Sequence, residues 1–257
     1  MPRVVHIPDI RKVDLPEARQ AIPYVHAYLR ECILDGTLTP GTKLSQVSLA
    51  RQLGISRTPL REVLRMLQEE GLVETEPNQR TRVAGLDPEE LDGVYASRIL
   101  LETLGLSMTI GHFGVASRKE ARRLLAAMRR AARTGDFTAW FAAHAGYHRL
   151  VTATAGEALQ RQLRAFADRT TRYIRIYQLS DPGSWQAAGD VEHAQILEAL
   201  IAGDERGALT GMAHHLARTA LRVLADCAPE FVPVAVPHAV ALIDRDPPAT
   251  LWLTGSS

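Results

Sequence analysis

The chain has 257 residues, enough for two modest domains with separate cores. Hydrophobic residues make up 46% and charged residues 23%, as in an ordinary soluble globular protein. The formal net charge is only +1, so any attraction to nucleic acid must come from local clusters of cations. The sequence shows no signal peptide, no apolar run of membrane-spanning length and no close cysteine pair, so we expect a cytoplasmic protein.

The N-terminal part of the chain predicts an arm followed by a helix. Residues 1–20, with prolines at positions 2, 8 and 16, predict an extended arm of low order. Core-spaced apolar residues predict a helix over residues 22–34. Residues 49–72 then predict two short helices joined by a tight turn, in which Gly54 ends the first helix. Ser56 can cap the second by accepting a hydrogen bond from a free amide.

The second of these helices has one apolar side and one basic side. Its apolar residues have the i, i+3, i+4, i+7 spacing of a single buried face: Leu60, Val63, Leu64 and Leu67. Arg57, Arg61 and Arg65 lie four residues apart and form a stripe on the other side. A helix fits the major groove of DNA, where arginine can bond guanine or clamp phosphates. A solvated basic face is the alternative.

In a helix-turn-helix the N-terminal residues of the second helix enter the groove first, and here they are Arg57, Thr58 and Arg61. Two short extended runs around a polar turn at residues 77–80 follow, as in the wing of a winged helix. The string GISRTPLREVLRML, followed by EEGLVE, resembles the winged helix-turn-helix of the GntR superfamily of bacterial transcription regulators.

The resemblance implies that the following residues contact DNA: Arg51, Ser56, Arg57, Thr58, Arg61 and Arg80. Arg51 would meet the DNA backbone from the first helix of the motif, and the wing tip would reach the minor groove. Two residues depart from the family pattern. Arg80 stands where a glycine is usual at the wing tip, and Gln46 stands where a glutamate is common.

Residues 85–90 mark the clearest domain boundary, because Gly85 ends the wing and the next residues start a helix. Asp87 suits a helix N-cap, Pro88 suits the first helical position and Glu90 completes a capping box. A second capping box joins Ser117 and Glu120. Beyond the boundary, and apart from the tail after residue 228, the pattern is helical, which predicts an antiparallel helical bundle and a mostly α protein. The predicted helices span residues 88–112, 118–134, 137–153, 157–178, 190–202 and 205–227.

We therefore divide the chain into four parts. A flexible N-terminal arm (1–20) precedes a winged helix-turn-helix domain (21–85). An all-helical domain that binds effector and metal (86–228) follows, and the chain ends in a tail (229–257). The prolines of the tail forbid a long helix, and its sequence indicates no role.

Four histidines of the second domain lie on predicted inner helix faces. His144 and His148 are four residues apart and share one face. His193 lies in line with the apolar residues of its helix, and His215 lies at the inner margin of the last helix, whereas His214 points to solvent. Each polar ring needs a partner in a low-dielectric core, and one divalent metal can serve all of them. Separately satisfied core histidines are the alternative.

Nitrogen-rich coordination suits zinc, nickel, copper or iron better than magnesium or calcium. Residues 88–227 resemble the all-helical ligand-binding domain, the FCD domain, of the FadR-like subgroup of GntR regulators. Many members hold a metal with an aspartate-x-x-x-histidine pair on one helix and two later histidines. The resemblance implies zinc or nickel on a set of four ligands: His144, His148, His193 and His215. His144 stands where aspartate is usual.

Arg98 and Glu102 lie four residues apart on an otherwise apolar helix face. Charged groups that face a core must be paired, so a mutual salt bridge is one interpretation. The other makes Arg98 a fork for a ligand carboxylate, with Glu102 orienting it. Family members commonly sense small organic acids, so the resemblance implies such an effector. Tyr95, Arg172 and Tyr173 are further candidates for its pocket.

These features predict a transcription regulator that binds operator DNA as a homodimer, away from membranes, and whose DNA affinity responds to a small carboxylate effector. A metal-dependent hydrolase is one alternative, but the sequence has no HExxH motif and offers a single inward carboxylate, Glu102. We therefore expect no catalytic residues and no enzyme. A regulator with purely structural histidines is the third hypothesis.

Overall fold

The computed structural model describes residues 10, 21–75, 81–85, 87–178, 182–246 and 251, without the side chains of residues 172, 175–178 and 182–188. The predicted arm apart from Ile10, the wing tip with Arg80 and the last residues of the tail lie outside this part of the chain. The chain divides into two compact units, residues 1–86 and residues 87–257. No helix in the described ranges is both long enough and apolar enough to cross a membrane.

The described residues form ten helices and two strands. In chain order these are α1 (Ala21–Leu34), α2 (Gln46–Leu53), α3 (Arg57–Glu69), β1 (Val73–Thr75), β2 (Thr81–Val83), α4 (Pro88–Ile110), α5 (Val115–Thr134), α6 (Phe137–Val151), α7 (Gly156–Gln178), α8 (Pro182–Ala202), α9 (Glu205–Cys227) and α10 (Ala235–Ile243).

The first unit packs α1, α2 and α3 around one apolar core, with β1 and β2 as a small antiparallel sheet. All four apolar residues predicted for the buried side of α3 are buried. Gly54 ends α2 with φ of 73°, a left-handed conformation that glycine adopts without steric cost. The wing pairs Val73 with Val83, and both side chains are buried. The predicted mostly α architecture, a winged helix-turn-helix followed by a helical bundle, is confirmed.

Two predicted helix caps differ in the structure. Ser56 is the N-cap residue of α3, but its side chain accepts no capping hydrogen bond. Ser45, one helix earlier, accepts a hydrogen bond from the amide of Ser48 at 3.4 Å and caps α2. The capping box from Ser117 to Glu120 does not form, because α5 begins at Val115 and both residues lie inside it.

Part of the capping box predicted at the start of α4 is present. Asp87 accepts hydrogen bonds from the amides of Glu89 and Glu90, at 3.0 and 3.2 Å, and caps α4. The carboxylate of Glu90 pairs with Arg169 of α7. Among the described residues the amide of Asp87 donates no hydrogen bond to Glu90, so only the Asp87 half of the predicted capping box forms.

In the second unit α4 is the central helix, since it packs against α6, α7, α9 and α10. Gly105 allows the close approach of α4 to the end of α6. A methyl group at this position would lie 3.0 Å from the Cβ of Thr152, which is tighter than ordinary van der Waals contact. Glu102 lies one turn before Gly105, so the same close packing brings its carboxylate to His148 on α6.

The tail folds back onto the bundle. Helix α10 packs against α4 and α9. Asp92 of α4 is buried beneath the first turn of α10. The two carboxylate oxygens of Asp92 accept hydrogen bonds from the amides of Val234, Ala235 and Val236 at 2.7–2.9 Å. Pro237 lies in this first turn, where its missing amide hydrogen costs no helical hydrogen bond. The tail therefore contains a short helix, which is compatible with the prediction that its prolines forbid a long one.

The prediction that His214 points to solvent is wrong. Its Nε2 atom lies 3.0 Å from Oδ2 of Asp244, directly after α10, and both side chains are largely covered. The tail covers this side of α9, and nothing in the spacing of α9 itself indicates that cover.

Candidate functional site

The residues predicted to contact DNA are exposed wherever the structure describes them. Arg51 on α2 and the start of α3 are open to solvent. Arg57 and Arg61 line a polar groove of about 280 Å³ in the first unit, together with Gln46 of α2. The exposed residues of the predicted set are Arg51, Ser56, Arg57, Thr58 and Arg61.

Arg65, the third arginine of the predicted stripe, differs from the other two. Its guanidinium binds Glu62, with 2.6 Å between Nη2 and Oε1, and also pairs with Glu69 one turn later. The hydrogen bond with Glu62 raises the pKa of Arg65 and lowers the pKa of Glu62. Within the described ranges Arg57 and Arg61 have no such acidic partner. The cationic charge available to a phosphate is therefore concentrated at the N-terminal end of α3.

Four histidines from three helices of the second unit meet at one point. His144 and His148 come from α6, His193 from α8 and His215 from α9, and one potential ligand atom of each lies within 4.8 Å of the others. The Nε2 atom of His148 is 3.2 Å from that of His144 and 3.4 Å from that of His193. The structure thus brings together all four residues predicted from helix spacing.

Burial favours the neutral form of three of these imidazoles, those of His144, His193 and His215. Burial lowers the pKa of His144 and of His193 well below the ordinary value of 6.5, and the neighbouring histidines lower both further. Burial also lowers the pKa of His215, against the opposing effect of the Glu192 carboxylate. A neutral imidazole is the form that binds a metal ion.

Glu102 orients one of the four rings. The Nδ1–H of His148 donates to Oε2 of Glu102 at 2.6 Å, which leaves Nε2 directed at the other histidines. Burial alone would raise the pKa of the Glu102 carboxyl, but the charge of Arg98 and the contact with His148 lower it to about 2. Glu102 is therefore a carboxylate that fixes the tautomer of His148, a common arrangement behind metal-binding histidines.

Arg98 and Glu102 form a mutual salt bridge, which was one of the two interpretations of this pair. Its Nη2 atom is 2.8 Å from Oε1 of Glu102, and its Nη1 donates to the hydroxyl of Thr170 at 2.9 Å. Both charged side chains are buried. The role of Arg98 as a fork for a ligand carboxylate stays a prediction. Tyr95 and Tyr173 are buried, and the guanidinium of Arg98 lies 5.2 Å from the ring centre of Tyr95. The side chain of Arg172 lies outside the described part of the chain.

Helix spacing did not identify Glu192. Its carboxylate accepts hydrogen bonds from Nδ1 of His215, at 2.7 Å, and from Arg218. Burial raises the pKa of Glu192, but the hydrogen bonds from His215 and Arg218 outweigh it and lower the pKa to about 2. Glu192 precedes His193 directly, so it lies about 100° away around α8, and any search restricted to the face of His193 omits it.

Trp140 was also missed, although its spacing carries a signal. It lies four residues before His144 on α6, and its ring stacks on the imidazole with 4.8 Å between centroids and 16° between planes. The i, i+4 relation places the two on one face.

The donor set fits a divalent transition metal. Ligand nitrogens of a tetrahedral site with metal–nitrogen bonds of about 2.0–2.1 Å lie about 3.3 Å from one another. The two Nε2 distances at His148, 3.2 and 3.4 Å, agree with that spacing. Two carboxylates, Glu102 and Glu192, hold the second nitrogens of His148 and His215. Neutral nitrogen donors backed by carboxylates are typical of zinc and nickel sites.

Comparisons with known proteins place both units in one family. Residues 24–83 match the bacterial regulatory proteins of the gntR family, and residues 93–218 match the FCD domain. A probable D-xylose utilization operon transcriptional repressor from Paenarthrobacter nicotinovorans is 30% identical over 185 residues, 72% of this chain and 80% of that protein. The chain belongs to the GntR family.

One further relative agrees with this assignment, and one solved structure has the same fold. The uncharacterized HTH-type transcriptional regulator YdhC of Bacillus subtilis is 33% identical over 82 residues, which cover 32% of this chain and only 37% of that protein. The solved structure of E. coli McbR/YncC has a TM-score of 0.68 at 21% identity, over 80% of this chain and 98% of that chain, which shows the fold. This protein is thus a DNA-binding transcription regulator with a GntR winged helix and an FCD domain.

Proposed function

We propose that this GntR regulator holds a divalent transition metal, zinc or nickel, in its FCD domain, and that its affinity for operator DNA responds to a small organic acid bound in that domain. The observation that carries the proposal is the convergence of four imidazoles from α6, α8 and α9, one potential ligand atom of each lying within 4.8 Å of the others. A bound ion would supply the positive charge that joins the three helices.

Purely structural histidines explain the geometry less well. Because the Nδ1–H of His148 donates to Glu102, its Nε2 has a single lone pair. That lone pair can accept a full hydrogen bond from His144, at 3.2 Å, or from His193, at 3.4 Å, but not from both. The rings of His144 and His193 find no carboxylate partner among the described residues, unlike those of His148 and His215. A metal ion would satisfy one nitrogen of each of the four rings together.

On the DNA side, we propose that Arg57, Thr58 and Arg61 contact base edges and phosphates in the major groove, supported by Arg51 and Ser56. Their exposure and the absence of acidic partners at Arg57 and Arg61, within the described ranges, support these roles. Arg80 would add a contact from the wing. A homodimer of this kind would read a pseudo-palindromic operator with two copies of α3.

The test combines metal analysis with DNA binding. The double variant His148→Ala/His193→Ala should lose the metal that copurifies with the wild type, and His112→Ala, which replaces an exposed histidine outside the cluster, should keep it. Binding to the DNA upstream of the protein's own gene should be sequence-selective, sensitive to salt and altered in the double variant. Equal metal content in all three proteins would refute the metal site, and binding without sequence preference would refute the operator proposal.

A further inference from the structure

A small chamber lies against three of the four histidines. The space that Arg98, His144, His193 and His215 help to line has a volume of about 20 Å³. A single water requires about 10–15 Å³ by a comparable measure. The chamber in this arrangement therefore accommodates an ion or a water, and a larger effector needs another place to bind.

A larger cavity lies directly beside this chamber, between α5, α6 and α8. Its volume is about 280 Å³, close to the lower end of the range of about 300–1,000 Å³ found for small-molecule sites. Met128 and Ala132 of α5 and the ring of Trp140 of α6 provide apolar surface. Such a wall suits a flat or apolar ligand body, since an indole ring packs well against another ring.

The charged side chains that line this outer cavity carry a net charge of +1. Arg129 and Arg133 lie one turn apart on α5, and Asp190 of α8 is the acid opposite them. Nε of Arg129 donates to both carboxylate oxygens of Asp190, at 2.7 and 2.8 Å. Arg133 is exposed and has no ion-pair partner within the described ranges. A carboxylate is the ligand group that complements a free guanidinium beside an apolar wall.

Two side chains separate the outer cavity from the chamber and line both of them: Trp140 and His193. Trp140 stacks on His144, and Nε2 of His193 is 3.4 Å from that of His148. A molecule in the outer cavity would touch two residues that are themselves in contact with the histidine cluster. It would thereby influence the cluster without entering the chamber.

We propose that the effector is a small organic anion with a flat or apolar body, and that it binds in the outer cavity with its carboxylate on Arg133 and its body on Trp140. This extends the proposed function, because it assigns the effector to a site beside the metal cluster instead of to Arg98. Arg129 assists when its pair with Asp190 opens. The partition formed by Trp140 and His193 couples the two sites.

The experiment uses titration calorimetry on the full-length protein with three probes. Benzoate has both the charge and the flat body, benzamide has the body without the charge, and acetate has the charge without the body. We expect benzoate to bind most tightly to the wild type. Arg133→Gln should weaken benzoate binding roughly tenfold or more, because it removes a charge-assisted hydrogen bond. Ala132→Leu, which narrows the cavity, should weaken it as well.

Arg130→Gln is the matched control, because Arg130 is an exposed arginine of α5 outside the cavity lining. It should bind benzoate like the wild type. Equal affinity for Arg133→Gln and Arg130→Gln would overturn the inference, as would failure of benzoate to bind the wild type at millimolar concentration. Loss of benzoate binding in Arg98→Gln alone would place the effector at the chamber and overturn it too. Metal content, measured on the same samples, tests the proposed metal site separately.

Discussion

At the scale of single residues, the arginine stripe of α3 shows how far spacing predicts chemistry. Arg57, Arg61 and Arg65 are all on the exposed side, as their four-residue spacing predicts. Spacing of the arginines alone does not reveal that Arg65 is neutralised by Glu62 and Glu69. These acids lie three residues before it and four residues after it, where helix side chains meet, so the sequence contains that information.

We expect Arg61→Ala to weaken binding to a specific operator by about 1–3 kcal/mol, because it removes a free guanidinium from the end of α3 that enters the groove. Arg65→Ala, the control on the same helix, should have a much smaller effect. Fluorescence anisotropy with labelled operator DNA at several salt concentrations measures both. Equal losses for the two variants would mean that general charge, and not the N-terminal end of α3, governs binding.

At the scale of the helices, sequence periodicity predicts most of what the structure contains. The predicted range 205–227 coincides with α9, and the predicted range 137–153 exceeds α6 by two residues. Helix α8 begins eight residues before the predicted position 190, because Pro182 is tolerated at a helix start. The docking of α10 could not be predicted, since Asp92 lies 142 residues before the first amide that it binds. No local pattern encodes such a contact.

Asp92→Ala should loosen α10. Three amides of its first turn would lose their acceptor, and the loss of an N-terminal cap costs about 0.5–2 kcal/mol. Hydrogen exchange followed by mass spectrometry should show faster exchange over residues 235–243. Asp92→Asn keeps one carbonyl acceptor and should show an intermediate rate. If the three proteins exchanged equally over these residues, Asp92 would not hold the tail.

At the scale of the whole molecule, the two-part architecture and the four-histidine set could be predicted because both rest on local patterns. His144 and His148 are related by the helix repeat, and each of the other two histidines lies on one helix face. The space between helices cannot be predicted in this way. The sizes of the chamber and of the outer cavity depend on how α5, α6 and α8 pack, and that packing depends on contacts between residues distant in sequence.

Zinc should stabilise the folded protein. A ligand that binds only the native state at a thousand times its Kd adds about 4 kcal/mol to the free energy of unfolding. Urea unfolding of protein treated first with a chelator, with and without added zinc, measures this difference. The gain should vanish in His148→Ala/His193→Ala and persist in His112→Ala. A gain of the same size in the double variant would mean that zinc acts elsewhere on the protein.

The neighbours His214 and His215 on α9 face different sides of the helix, His214 towards Asp244 and His215 towards the histidine cluster. Consecutive helical residues differ by about 100° in direction. Inserting or deleting a single residue between the cap at Asp204 and His215 would therefore turn both imidazoles away from their present partners at once. Contacts on two sides of α9 fix the rotation of this helix about its axis. Between Asp204 and His215, substitutions keep these contacts in register, whereas insertions and deletions do not.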